Sequence, residues 1–379
     1  VSPSDNPQLP PAGTGAWAEI APAEAGFDPQ ALQQAVDFAI AQESSWPRSL
    51  YYPDGRYVGL VEWNESGPWS DISGPVKPRG GPAGLILKNG RIVSQWGEID
   101  RVDMTFSVAK SYIAILAGLA VADGLIADVD EPVGRSIDGP WFASAHNAQI
   151  SWRHLLQQSS EWQGELFGKS DQVDHNRQIG PGADNSRKGQ KRDLQQPGSF
   201  YEYNDVRVNL LAYCLLRLFR RPLPEVLRER IMDPIGASDS WEWHGYSTSF
   251  VEIDGKRMQS VPGGCHWGGG IFISARDHAR LGLLIANGGA WGGRQLIPAS
   301  WITAMMTPSP TLPNYGYLWW LNRGPQARPH VPETAVFALG AGVNVIWIDP
   351  AQQLVAVLRW IDKSALDGFV DRMLAARRG

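Results

Sequence analysis

The sequence predicts an α/β (α+β) fold: an antiparallel sheet flanked by helices, with a mostly helical lobe inserted into it. Three observations carry this expectation. Hairpin patterns stand near both ends of the chain, around Asn89-Gly90 and around Asp349-Pro350. Helical patterns accompany them at both termini. Between Pro132 and Pro262 the apolar spacing is chiefly helical, with loops rich in Gly, Pro and Asp. Hairpins and terminal helices of this kind pack as layers around one sheet built from the two chain ends. The expected division is a discontinuous sandwich lobe, 17–131 with 263–379, a helical lobe, 132–262, and an N-terminal arm, 1–16.

The arm begins Val1-Ser2-Pro3-Ser4-Asp5-Asn6-Pro7, polar and proline-rich, which predicts a loose segment. A start without Met fits an exported protein, periplasmic or secreted, after leader cleavage, or a boundary of the expressed segment. Between Pro29 and Glu43, Leu32, Ala35, Val36, Phe38 and Ala39 recur at helical spacing. Strand-like residues 84–88 and 91–96 flank Asn89-Gly90, a pair that tolerates the positive φ of a tight hairpin turn. The apolar run 112–125 is broken by Asp123 and is shorter than the roughly 20 residues of a membrane span, so it reads as a buried helix. Residues 335–348 read as one strand, 349–353 as a turn, 354–360 as the returning strand and 362–378 as a final helix.

Composition narrows the function. The 379 residues are 43% hydrophobic and 19% charged, with net charge −5, as in an ordinary globular protein. No basic stripe is present to neutralise phosphates, so nucleic acid is a poor partner. The cluster Arg187-Lys188-Gly189-Gln190-Lys191-Arg192, bracketed by Asp184 and Asp193, reads as a solvated loop. Two cysteines, Cys214 and Cys265, cannot make a disulfide framework; Cys214 lies in an apolar helical pattern, and a thiol nucleophile stays open. The seven histidines show no paired metal-ligand spacing, and no dinucleotide, P-loop or G-x-S-x-G motif occurs. Neither metal nor cofactor is expected, and the partner is a small molecule.

The chemistry centres on Phe106-Ser107-Val108-Ala109-Lys110. Three residues apart on a helix, Ser107 and Lys110 share one face. A serine hydroxyl is a weak nucleophile until a base takes its proton, and a lysine serves if burial or a second cation lowers its pKa. The apolar residues after Lys110 would supply the burial. At a helix start, the Ser107 N–H also points toward a reacting oxygen. Alone, the tetrapeptide is as compatible with an ordinary helix surface.

Further landmarks follow in order. Ile150 to Ser160 contains Leu155-Leu156 and Ser159-Ser160; Tyr203-Asn204-Asp205 opens an apolar helix with Val208, Leu210, Leu211 and Ala212; Trp267-Gly268-Gly269-Gly270-Ile271-Phe272-Ile273-Ser274-Ala275-Arg276-Asp277 comes later. With the hairpin before Ser107, these resemble the class C β-lactamase, penicillin-binding protein and esterase superfamily of serine hydrolases, over residues 85–360. The resemblance implies a β-lactamase/transpeptidase-like fold and an acyl-enzyme mechanism. It makes Ser107 the nucleophile and gives Lys110 and Tyr203 the proton, the Lys110 charge favouring a phenolate-like oxygen. Tyr201 is a rival, but only Tyr203 keeps the family spacing to Leu210-Leu211.

Two departures matter. Asp205 stands where most relatives carry Asn, and an ionised carboxylate only accepts hydrogen bonds. It would hold Lys110 protonated or attract a substrate N–H group; a helix N-terminal carboxylate is the alternative. The family's Lys-Thr-Gly or His-x-Gly strand corresponds to Ala338-Leu339-Gly340, so the carboxylate-anchoring residue is missing. That moves the expected substrate from β-lactams toward esters and linear amides, nearest the esterase and 6-aminohexanoate-dimer hydrolase branch. Gly340 allows close strand approach, and the N–H groups of Ser107 and Ala341 would form the oxyanion hole. Trp162, Trp267, Trp319 and Trp320, among 17 tryptophans, stand near family positions that rim the cleft, with core packing as the alternative. His266 could contact substrate or serve structurally. A β-lactamase or D-aminopeptidase/DD-peptidase activity, and a non-enzymatic penicillin-sensor-like protein, are the rival functions.

Overall fold

The computed structural model describes residues 9–13, 15–180 and 182–378. Its elements begin with α1 (Pro29–Ala41), which starts where Asp28 accepts hydrogen bonds from the N–H groups of Gln30 and Ala31, with Pro29 in the first turn. Next come β1 (Ala83–Lys88), β2 (Arg91–Trp96), β3 (Asp103–Met104) and α2 (Val108–Ala122). Asn89 and Gly90 both take positive φ, 49° and 75°, as the hairpin turn requires. The inserted segment holds α3 (Asp205–Phe219) and β4 (Glu242–His244); β5 (Gly270–Ile273) and α4 (Ala275–Ala286) follow. The chain ends with β6 (Trp320–Leu321), β7 (Val336–Gly340), β8 (Asn344–Asp349), β9 (Leu354–Arg359) and α5 (Leu366–Ala375).

The main sheet has the order β6-β7-β8-β9-β1-β2, each neighbour pair antiparallel. The β1–β9 pairing, Ala83 opposite Arg359 through Lys88 opposite Leu354, joins the two ends of the chain. Side chains alternate as strand geometry demands. Ile86, Val345, Trp347, Ala356 and Leu358 face α1 and α5, whereas Leu85, Leu87, Ile346, Val355 and Val357 face α2 and α4. α2 is buried around its whole circumference from Val108 to Ala120, which is why its sequence is apolar throughout rather than on one stripe. A second, three-stranded sheet, β3-β5-β4, links the strand that leads into Ser107 to the glycine-rich segment.

Three readings of the sequence change. Residues 335–348 are not one strand: the chain reverses at Ala341-Gly342-Val343, giving β7 and β8, so the C-terminal unit is a three-stranded meander. Residues 132–262 hold less helix than their apolar spacing suggests. α3 is the only long helix among the described residues there, and five-residue helices, 3₁₀ turns and short hairpins supply the rest. The arm lies partly outside the described residues, but 9–13 are tied down, with the Gly13 N–H on the Gly236 carbonyl and the Arg280 guanidinium on the carbonyls of Pro11 and Gly13. No described helix is long and apolar enough to cross a membrane.

Candidate active site

The strand-to-helix junction places Ser107. β3 pairs with β5, and the buried Arg359 guanidinium donates to the carbonyls of Asp103, Met104 and Ile273, clasping both strands. The Asp103 carboxylate accepts from the Gly80 N–H and the Trp360 indole. Phe106 then adopts φ +50°, a left-handed conformation that a bulky residue rarely takes, and its ring packs between Trp46 and Trp360. The reversal turns the chain into α2 with Ser107 at its head, partly exposed, while Lys110 is buried.

Lys110 Nζ donates to Ser107 Oγ at 2.9 Å and to the Gly263 carbonyl at 3.1 Å, and it is ion-paired with Asp205 Oδ1 at 2.5 Å. Its ammonium also lies 4.7 Å from the centroid of the Tyr203 ring. Burial works to lower the Lys110 pKa, but Asp205 outweighs it and the net direction is upward. Lys110 is therefore an ammonium in the resting site, the opposite of the lowering expected from burial alone. The Tyr201 ring instead packs on Tyr315 at 5.3 Å, so Tyr203 is the tyrosine brought to Lys110.

Asp205 is the hub of a buried ionic cluster. Its Oδ2 accepts from Arg177 Nη1 at 2.8 Å and His266 Nδ1 at 2.8 Å. Asp174 accepts the Asp205 backbone N–H at 2.7 Å and lies 3.2 Å from Arg177 Nη1. Against burial, Lys110 and Arg177 hold Asp205 well below the usual carboxylate range, whereas burial pushes Asp174 up to about 7. Burial likewise pushes His266 down to about 3, so its imidazole is neutral and gives its Nδ1–H to Asp205. Asp174, Asp205 and His266 stand close enough together to hold a metal ion. Arg177, Lys110 and Lys188, which is 3.4 Å from Asp174, already neutralise the two carboxylates, so the donor set does not suit a cation.

Sequence reasoning missed several of these neighbours. Glu65 pairs with Lys188 and lies 3.6 Å from His266 Nε2. Trp63 stacks 3.9 Å from Arg177 Cζ. Both come from a segment before the sheet that is pinned to the glycine-rich stretch by Tyr57 Oη on the Cys265 carbonyl. Gly59 fits there because a Cβ would stand 2.9 Å from the His266 carbonyl oxygen. The basic cluster is not simply solvated. Lys188 is drawn inward to Glu65 and Asp174, and Arg192 bridges Glu161 and Glu202, since buried carboxylates require partners.

The tryptophans also need correction. Trp162, Trp267 and Trp319 are each at most 1% exposed and belong to the core rather than to a cleft rim. The indole N–H groups of Trp162 and Trp267 are spent on the carbonyls of Trp141 and Trp69. The aromatic groups beside Tyr203 are the half-buried Trp320, stacked at 6.1 Å, and Trp63 across Arg177. Gly340 behaves as expected: a Cβ there would meet the Thr105 carbonyl oxygen at 2.3 Å and the Ser107 nitrogen at 3.2 Å. The adjoining Ala341 therefore stands beside the head of α2, its carbonyl held by Asn344 Nδ2 at 2.8 Å. Ala338 is fully buried beneath α2. Cys214 and Cys265 are free and buried, and burial pushes the Cys265 thiol up to about 12, so neither is a nucleophile.

Solved structures share this architecture. A β-lactamase/D-alanine carboxypeptidase from Pseudomonas syringae superposes with a TM-score of 0.58 at 14% identity, covering 91% of this chain and 99% of its own. EstCE1, a hydrolase with promiscuous acyltransferase activity, gives 0.56 at 15%, covering 92% and 99%. A protein assigned as a 6-aminohexanoate-dimer hydrolase from Bacillus anthracis gives 0.53 at 16%, covering 89% and 87%. These likenesses define a β-lactamase/transpeptidase-like fold. In sequence, the profile of the Beta-lactamase family matches residues 79–372, and the chain belongs to that family, whose members are serine hydrolases. No curated protein matches the chain in sequence.

Proposed function

We propose that this chain hydrolyses esters or linear amides through an acyl-enzyme on Ser107. One observation carries the reading: the Lys110 ammonium donates to Ser107 Oγ at 2.9 Å, at the head of a buried helix and against Gly340. With Lys110 already protonated, Tyr203 acts as its phenolate: it takes the Ser107 proton and becomes a neutral phenol as Oγ attacks the carbonyl carbon. Lys110 steadies the Tyr203 phenolate before the transfer and the Ser107 oxygen as it attacks. The N–H groups of Ser107 and Ala341 receive the oxyanion. Collapse expels the leaving group with the proton from Tyr203, and water, activated the same way, releases the acyl group from Ser107.

The substrate class rests on Ala338. Strand alternation puts residues 338 and 340 on one face, and position 338 offers a buried methyl group where a cation would hold a substrate carboxylate. Trp320 and Trp63 favour an acyl or leaving group with an apolar part. The test compares wild type and Ser107→Ala on p-nitrophenyl esters, 6-aminohexanoate dimers and β-lactams, with fluorophosphonate labelling of Ser107. Ester or linear-amide turnover lost in the variant supports the reading. β-Lactam turnover of equal rate moves it to a β-lactamase, and a folded wild type that neither labels nor turns over anything moves it to a binding protein.

A further inference from the structure

We propose that Arg177 is a positioning residue for this reaction, offsetting the Asp205 carboxylate so that the Lys110 ammonium remains effective at Tyr203. The inference rests on the proposed roles of Ser107 and Tyr203. Lys110 is the nearest cation to Tyr203, but it donates to Ser107 and Gly263 and is ion-paired with Asp205 at 2.5 Å, so much of its field is cancelled unless Asp205 is offset elsewhere. Where relatives have a neutral Asn, Asp205 adds a full negative charge to the cluster. Some other group has to offset it, or the Tyr203 oxygen would hold its charge, before it takes the proton, next to a poorly balanced carboxylate.

Arg177 is built for that. Its side chain is 1% exposed, its guanidinium carbon lies 5.0 Å from the Tyr203 ring centroid, and its other contact is the Trp63 ring at 3.9 Å. Nη1 bridges Asp205 Oδ2 at 2.8 Å and Asp174 Oδ1 at 3.2 Å, which fixes the plane of the guanidinium. The charged and titratable groups around Tyr203 are Lys110 from α2, Arg177 and Asp174 from the turn before it, Asp205 from α3, and Tyr201 and Tyr315. Burial pushes Asp174 up to about 7, so it adds only part of a further negative charge near neutral pH. Arg177 thus balances Asp205 and leaves the Lys110 ammonium effective at Tyr203. It does not touch the substrate; it balances the charge beside the group that takes the Ser107 proton.

The experiment measures kcat and KM against pH on an ester that wild type turns over and Ser107→Ala does not, so failure of the underlying reading is seen separately. For Arg177→Gln, the acid limb of kcat moves to higher pH by about one to three pH units. At pH 7, kcat falls about 10–100-fold while KM changes by less than about threefold. Arg177→Lys, which keeps the cation, returns most of the lost limb. An even loss at all pH values, or a loss carried by KM, overturns the proposal. Should Arg177→Gln not fold, Arg177→Gln/Asp205→Asn removes one charge of each sign; its limb stays near that of wild type if charge balance governs, and a limb displaced by about one pH unit or more refutes it.

Discussion

Replacing Asp205 by Asn is the sharpest perturbation available, because it changes one charge with almost no change in shape. The carboxylate accepts from Lys110 at 2.5 Å on one oxygen and from Arg177 and His266, each at 2.8 Å, on the other. The side chains of Lys110, Arg177 and Asp205 are 2%, 1% and 7% exposed, so water screens little of this. An amide keeps one acceptor oxygen but turns an NH₂ donor toward Lys110 or toward Arg177. A buried cation facing a donor and stripped of its counter-charge costs about 3–5 kcal/mol. In urea the midpoint therefore falls by about 1 M or more at unchanged slope. Activity changes in a correlated way. With Asp205 gone, burial is the main influence left on Lys110, which loses its proton more easily, so the profile of kcat against pH gains a new ionisation below the wild-type lysine range. The assay pairs urea titration followed by tryptophan fluorescence with pH–rate profiles on a p-nitrophenyl ester. A midpoint within about 0.2 M of wild type, with an unaltered profile and substrate preference, removes Asp205 from the mechanism and refutes the cluster's role.

Two further outcomes follow from the geometry. Gly340→Ala places a methyl 2.3 Å from the Thr105 carbonyl oxygen and 3.2 Å from the Ser107 nitrogen, so β7 must retreat from the oxyanion site. It should lower kcat by about 10²–10³-fold with KM little changed, measured by steady-state ester hydrolysis, and an unchanged kcat places the oxyanion donors elsewhere. Glu161 gives a pH signature: burial opposes its charge, yet Arg192, Arg207 and the Gln195 N–H hold it at about 2. A carboxyl depressed in the folded state contributes stability above its unfolded pKa and loses it as pH falls toward 2. Allowing for the partial exposure of Arg192, about 2 kcal/mol should disappear between pH 5 and pH 2, and Glu161→Gln should narrow its deficit against wild type over that interval. Urea midpoints that stay parallel across that range contradict the assignment.

The parts of the molecule that were legible in the sequence are those with a local period or a fixed chemical order. The Asn89-Gly90 hairpin follows from turn sterics, and the all-apolar run after Lys110 follows from burial on every face. The Ser274-to-Asp277 spacing within the glycine-rich signature is a helix start. Ser274 accepts the Asp277 N–H, while the Asp277 carboxylate is bound by Ser238. Reading 335–348 as one strand failed because apolar periodicity continues through a tight reversal. Gly340 and Gly342 were the clue, and Gly342 takes φ +70°. The tryptophans were open for a different reason: a residue type that suits both a core and a cleft carries no positional information until its burial is known, and Trp162, Trp267 and Trp319 take the core reading.

The ionic cluster was illegible for a more basic reason. Glu65, Asp174, Arg177, Lys188, Asp205 and His266 come from five separate stretches of chain, so no local pattern marks them as one buried cluster. One trace was present. An aspartate replacing an amide beside a lysine adds a charge that a low-dielectric site does not tolerate without a partner. That substitution demands a second cation, and the stretch leading to Tyr203 is where it had to come from if α3 was to keep the family spacing. Arg177 satisfies the demand with both of its surfaces covered, by Trp63 on one side and Tyr203 on the other. The departure at position 205 is thus not a local edit of a proton relay. It is half of a charge pair whose other half reaches the site from a different loop.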